Sequence, residues 1–276
     1  MRYNIFIIIL CLTFSMVGQN NSGRFVKLGH QTMIDRSFME CVYEHFVYDP
    51  IADKSQCEDW ILEIGHKASR YGYYNKYQLD SLFAVDYPKG VTMHDFDQAT
   101  KRFGRPRTTE SFKSFGENKF SHYESILMDQ YCYEESIPVI NWHLIADETE
   151  EVCGYQCKKA VAEFRGRTWT AWYCEDISVN NGPWIFGGLS GLIMKLEDSN
   201  KEHSFEAVQI RKGNKEFGKK SRSSLIKVDR KQFREVESEY RTNTKSFLSA
   251  NPQAPKANDG SAIPNRRLFF NPIELD

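Results

Sequence analysis

The stretch GPWIFGGLSGLIMKLED, Gly182 to Asp198, constrains the fold more than any other part of the chain. Its four glycines interrupt apolar residues, and glycine at that density marks sharp turns or backbone packed where a Cβ would clash. From Leu192 the residues alternate: Leu192, Met194 and Leu196 are expected on one side of a strand, with Ile193, Lys195 and Glu197 on the other. Gly182, Pro183, Trp184, Gly187, Gly188, Leu189, Ser190 and Gly191 are therefore read as a structural, turn-rich join feeding the strand that opens with Leu192 and Ile193. The block contains no metal ligand set, no phosphate loop and no catalytic acid and base.

Upstream, Arg165-Gly166 separates two strand-like runs, Gly154 to Phe164 and Arg167 to Cys174, and an X-Gly pair suits a two-residue hairpin turn. Phe164 then sits opposite Arg167, which collects Ala160, Ala162, Phe164, Trp169, Ala171 and Tyr173 on one apolar face. The same register sets Cys157 opposite Cys174 at a non-hydrogen-bonded pair, where Cα atoms are about 4.5 Å apart, so a disulfide is predicted there. Cys153 competes as a partner, and Cys41 with Cys57 is the expectation for a second bridge.

Elsewhere Met39 to Tyr48, Trp60 to Ile64, Ser111 to Leu127 and Val139 to Ile145 read as strand. Asn75 with Gln78 and Thr92 with Asp95 open two short helices, and Asp229 with Gln232 opens a longer one whose Phe233, Val236, Tyr240 and Phe247 share a face. Pro, Ala, Asn and Gly mark 249–265 as an exposed linker, and apolar residues return over 268–275, a segment expected to dock. The acidic run Asp147 to Glu151 reads as a turn, and Arg211, Lys212, Lys215, Lys219, Lys220 and Arg222 as a solvated basic loop. The expected fold is one β-dominated α+β domain over 19–276, a curved, half-barrel-like antiparallel sheet with helices on one face.

Gly182 to Asp198 resembles the signature of the GLPGLI family, secreted bacterial proteins of unknown function, with Ser190 where the family motif has proline. Gly154 to Ser178 is similar to that family's preceding hairpin, FFNPIELD, Phe269 to Asp276, to its C-terminal tag, and Asp59 to Asn75 to its N-terminal part. The resemblance implies export and carries no catalytic residue.

Arg2, the apolar run Ile5 to Val17 and the small Gly18 read as a signal peptide over 1–18, too short to span a membrane. Leu10 before Cys11 argues against lipoprotein processing. The mature chain is thus expected in the periplasm, the outer envelope or the medium, with no transmembrane span and with cysteines suited to an oxidising compartment. A net charge of −1 argues against nucleic acid as a partner.

Candidate chemistry is sparse. Ser190 lacks the glycine that a nucleophile elbow places two residues on, since Leu192 stands there. His143, Cys153 and Cys157 match no zinc spacing, and His66, His94 and His122 are scattered, so neither metal nor cofactor is expected. Trp169, Trp172 and Trp184 are read either as core or as the wall of an apolar pocket. The expectation is a non-catalytic envelope protein holding a lipid, an acyl chain or a client protein in a concave sheet. The alternatives are a secreted hydrolase whose site the spacing does not reveal and a structural or adhesive surface module.

Overall fold

The computed structural model describes residues 31–220, 224–250 and 266–276. The signal segment 1–18 and most of the linker lie outside them, though Ser249 and Ala250 end a helix. The elements are β1 (Gln31–Arg36), β2 (Met39–Asp49), β3 (Lys54–Ile64), β4 (Ala68–Tyr73), α1 (Tyr74–Asp86), α2 (Met93–Phe103), β5 (Glu110–Ser114), β6 (Lys119–Ile126), β7 (Asp129–Ser136), β8 (His143–Val152), β9 (Tyr155–Phe164), β10 (Arg167–Cys174), β11 (Leu192–Asp198), β12 (His203–Lys212), β13 (Glu216–Lys220), β14 (Leu225–Lys227), α3 (Arg230–Thr242) and α4 (Thr244–Ala250).

Twelve strands form one sheet in the order β14-β7-β6-β5-β4-β3-β2-β12-β11-β10-β9-β8, antiparallel except where β14 runs parallel to β7. β7 and β10 are eight neighbours apart, about 38 Å across a flat sheet at about 4.8 Å per strand. Yet Arg165, in the turn before β10, reaches Glu135 of β7 at 2.7 Å. The sheet is therefore strongly curled, with a concave interior.

Local chemistry explains the hairpin of β9 and β10. Arg165 and Gly166 have φ of 50° and 76°, the paired positive values of a type I′ turn, and Phe164 pairs with Arg167 as read from the sequence. Ala160, Ala162, Trp169 and Ala171 are almost fully buried on the resulting face. Cys157 and Cys174 adjoin the last pair of the ladder but are free thiols, so the expected bridge is not part of this structure. Cys41 and Cys57 do not meet: on the β2–β3 ladder Cys41 faces Leu62 and Cys57 faces Phe46.

Capping signals hold where the side chain has no better partner. Thr92 accepts from Asp95 N, and Asp229 with Gln232 forms a complete capping box on α3. α1 begins two residues earlier than read, with Tyr73 at the cap position, and Asn75 donates its amide to Arg105 O at 2.9 Å instead of capping. The acidic run is strand rather than turn: it lies in edge strand β8, bulged near Asp147, and the turn falls at Cys153 and Gly154. The basic stretch is also largely strand: Arg211 and Lys212 end β12, and Lys219 and Lys220 lie in β13, which pairs with β1 around the buried Phe217; Arg222 lies outside the described residues.

Helices occupy both faces of the sheet rather than one. Tyr77 of α1 packs on Val42 and Ile61, on the convex side. Phe233 of α3 packs on Tyr131, Tyr133 and His122, within the concave side. The Gly-rich join between β10 and β11 also turns inward, and Lys113 of β5 pins it: its buried ammonium donates to Asn181 Oδ1 at 2.8 Å and Phe186 O at 2.5 Å. Trp184 there adopts φ of 49°, unusual for a bulky residue, and packs edge-on against Phe120 and Phe186. The chain end closes the other side. Asn271 and Pro272 O accept from Arg167 at 2.8 Å, Arg267 pairs with the buried Asp49, and Glu274 is held by Arg165 and Arg230.

Candidate functional site

Between the inward join, α3 and the chain end, the concave face leaves a cavity of about 230 Å³. Its floor comes from the central strands: His45 of β2, Trp60 of β3, Tyr71 and Tyr73 of β4, Ser111 of β5, His122 and Glu124 of β6 and Phe205 of β12. α3 contributes Phe233, Arg234, Glu237 and Arg241, and residues 269–274 complete the wall. Strand alternation explains the set, since Tyr71, Ser111, His122 and Tyr133 are successive ladder partners and share one face.

Aromatic stacking stiffens this floor. Trp60 lies 3.9 Å from the Tyr73 ring and 5.0 Å from Tyr71, nearly parallel to the latter at 7°. His45 stacks on Phe205 at 3.8 Å, and its Nε2 is 3.3 Å from His203 Nδ1. Burial, with the neighbouring His203, holds the His45 imidazole well below its usual range, and burial pushes His203 down to about 4. Both rings are neutral at pH 7.

Charged groups sit among the rings in pairs. Arg107 bonds Glu58 at 2.7 Å and the Tyr73 hydroxyl at 3.0 Å. Glu124 lies 3.4 Å from His122 Nε2 and 3.3 Å from Arg241, while Arg241 Nε is 3.7 Å from Glu237. Burial alone would raise the Glu124 carboxyl, but the His122 hydrogen bond and the charges of His122, Arg241 and Arg107 hold it below the carboxylate range. Burial, reinforced by Glu124, pushes Glu237 up to about 8. Two carboxyl groups that share one arginine are thus driven apart.

Trp60 Nε1, Tyr71 Oη, His203 Nε2 and Arg241 Nε are four of the seven buried side-chain polar atoms that lack a hydrogen-bond partner among the described residues. All four belong to this wall. Such atoms are uncommon in folded proteins, and four of them belong to residues gathered around this one cavity.

Of the three tryptophans singled out by sequence, only Trp184 lines the cavity. Trp169 is fully buried core and donates to Phe164 O at 3.2 Å, and Trp172 lies on the opposite face with Lys159 over its ring at 5.5 Å. Trp60, within the alternating run that announced β3, lines the cavity together with Trp184; its neighbours in space come from distant strands. Ser190 is exposed and its hydroxyl donates to the exposed Glu175 carboxylate at 3.0 Å, away from the cavity. Gly182, Pro183, Gly187, Gly188, Leu189, Gly191, Leu192 and Ile193 form the join and the start of β11 outside the cavity wall. A Cβ on Gly191 would lie 2.0 Å from Cys174 O, and Gly188 has φ of 92°. Among the described residues no group of three or more His, Cys, Asp or Glu is placed to hold a metal ion, and no helix is long and apolar enough to cross a membrane.

The family model described as "N-glycanase peptide, N-terminal domain" matches residues 131–235, which run from within β7 through β14 into the first part of α3. Two solved structures of PNGF-II, in space groups P21 and C2, resemble the chain at 15% and 16% identity. Both matches cover 74% of this chain with a TM-score of 0.48. The chain spans about a third of the PNGF-II chains, 34% and 33% of them. The Pseudomonas aeruginosa MucA/MucB complex matches at 8% identity over 63% of this chain and 52% of that one, with a TM-score of 0.29. No curated protein sequence matches.

Proposed function

We propose that this chain is a binding protein of the cell envelope that holds a small organic ligand in the concave cavity and does no chemistry on it. The observation that carries the reading is the set of unpartnered polar atoms on Trp60, Tyr71 and His203, enclosed in an aromatic wall. Packed cores do not collect such atoms, whereas ligand sites combine apolar walls with a few polar groups. An exported chain reaches its ligand outside the cytoplasm, which agrees with the signal peptide read over 1–18. Native mass spectrometry of protein taken from its own envelope tests the reading. A non-covalent adduct lost on denaturation is expected, and an empty protein that no envelope extract stabilises would overturn it.

A hydrolase is the second reading. Glu124 and Glu237 favour it, being a depressed and a raised carboxyl flanking Arg241, as an acid and a base must differ. The matching family model carries the name of an N-glycanase, although this chain spans only about a third of the PNGF-II chains. Turnover of a glycan or glycopeptide that vanishes in Glu237→Gln would establish this reading in place of the first.

A further inference from the structure

We propose that Lys113 and Asn181 join covalently, through an isopeptide amide between Lys113 Nζ and Asn181 Cγ that forms in the folded chain without any other reactant. Neither residue lines the cavity, so the proposal is independent of what the cavity holds. The bond would tie β5 to the Gly-rich join, 68 positions away.

The two side chains meet where water does not reach. Lys113 is 5% and Asn181 1% exposed. Alternation along β5 puts Lys113 on the concave side with Ser111, which lines the cavity. Asn181 is fixed from both directions, since its N–H donates to Val179 O at 2.8 Å and its carbonyl accepts from Ile193 N at 2.9 Å.

Lys113 is set up as a nucleophile. Its Nζ donates to Asn181 Oδ1 at 2.8 Å, to Phe186 O at 2.5 Å and to Gly182 O at 3.4 Å, all neutral carbonyl oxygens. A buried ammonium is normally balanced by a carboxylate, and without one the neutral amine gains. Burial accordingly pushes Lys113 down to about 7. The neutral amine carries the lone pair that attack on a carbonyl requires.

Asn181 is set up to receive it. A C=O bond of about 1.23 Å places the lysine nitrogen about 3–4 Å from Cγ, close to attack range. The flexible four-carbon stem lets that nitrogen move from the oxygen's lone pair to the face of the carbon. Gly182 N–H donates to the same oxygen at 2.9 Å and polarises the carbonyl. Asn181 Nδ2, the leaving nitrogen, is buried with no hydrogen-bond partner among the described residues. The intact amide therefore holds an unsatisfied donor, and the reaction removes it.

In the step, the Nζ lone pair bonds to Cγ and the Cγ to Nδ2 bond breaks with its electron pair going to Nδ2. Two of the three lysine ammonium protons leave on that nitrogen. An ammonium and a primary amide thus become a secondary amide and an ammonium ion, with nothing oxidised or reduced. The N–H that remains on Nζ keeps Phe186 O satisfied.

Tryptic mapping by mass spectrometry tests this on the folded mature chain, reduced and alkylated after incubation at mildly alkaline pH. Trypsin does not cut at an acylated lysine. The expected product is one branched peptide that joins 108–119 to 168–195 and weighs one ammonia less than their sum. Lys113→Arg keeps the charge and the donors but has no amine to acylate, so it should give no branched peptide. The parent map decides the question even if that variant does not fold. Recovery of 108–113 from the parent as a separate peptide in full yield would overturn the proposal. Loss of ammonia confined to 168–195, the mark of ring closure between Asn181 and Gly182, would overturn it as well, because Lys113 would then be unlinked.

Discussion

Gly191→Ala should unfold the protein far more readily than the same change at the neighbouring motif glycines. The added Cβ would sit 2.0 Å from Cys174 O, 2.5 Å from Cys174 C and 2.9 Å from Glu175 N, all backbone atoms. Relief requires moving the end of β10 away from the start of β11, where Leu192 N donates to Ile177 O at 3.1 Å and Leu192 is fully buried. Overpacking of this kind costs about 3 kcal/mol, and loss of the hydrogen bond adds about 1 kcal/mol. At about 2–4 °C per kcal/mol for a domain approaching this size, Tm should fall by about 8–15 °C. Gly188→Ala meets nothing closer than Trp142 at 3.6 Å, but its φ of 92° costs a non-glycine residue about 1–2 kcal/mol. Gly187→Ala needs only a few tenths of an ångström from the Asn180 side chain, 3.3 Å away, and should be close to neutral. Scanning calorimetry of the three variants decides the matter. Equal small losses, or Gly187→Ala as the worst, would refute a backbone role for the join and leave it as a recognition surface.

Lys113→Met should cost about 3 kcal/mol in urea unfolding, because it strands the buried Phe186 O and removes one of the two donors to Asn181 Oδ1; a neutral result would mean that Lys113 does not pin the join. His203 is held at about 4 in the folded chain against about 6.5 unfolded, so the unfolded chain binds more protons between those values. Its contribution is present above pH 6.5 and lost as pH falls to 4, by about 3 kcal/mol, and stability measured against pH should flatten over that window in His203→Asn. Glu237 has the opposite sign: its folded value near 8 makes stability fall as pH rises from about 4.5 to 8, and Glu237→Gln should remove that slope. Mild oxidation should join Cys157 to Cys174, which adjoin the last pair of the β9–β10 ladder; non-reducing peptide mapping that returns either one bonded elsewhere would contradict that neighbourhood.

What the sequence made legible was local. Arg165-Gly166 sets its hairpin because a type I′ turn needs positive φ at both positions, and Asp229 with Gln232 caps α3 because both partners are four residues of one chain segment. Alternation from Leu192 marks β11 because one residue in two must face the core. The failures have a physical cause too. Asn75 reads as a cap, but its amide finds Arg105 O, a partner 30 positions away. Asp147 to Glu151 looks like a turn because an edge strand in solvent needs no apolar side, and β8 is such an edge. The cavity was illegible for the same reason at larger scale. His45, Trp60, Tyr71, His122 and Phe205 each satisfy a strand pattern, and only the curl of the sheet beneath α3 brings them to one wall.

The central claim, that the cavity holds a ligand against Trp60, is tested most directly by the indole N–H resonances of ¹⁵N-labelled protein. Five tryptophans give five signals, with Trp60 assigned from Trp60→Phe. Titration with envelope extract should shift the Trp60 signal strongly, leave that of Trp172 on the opposite face in place, and do so saturably. Saturable binding that leaves Trp60 unmoved while Trp172 shifts would put the ligand outside the concave face and contradict the account.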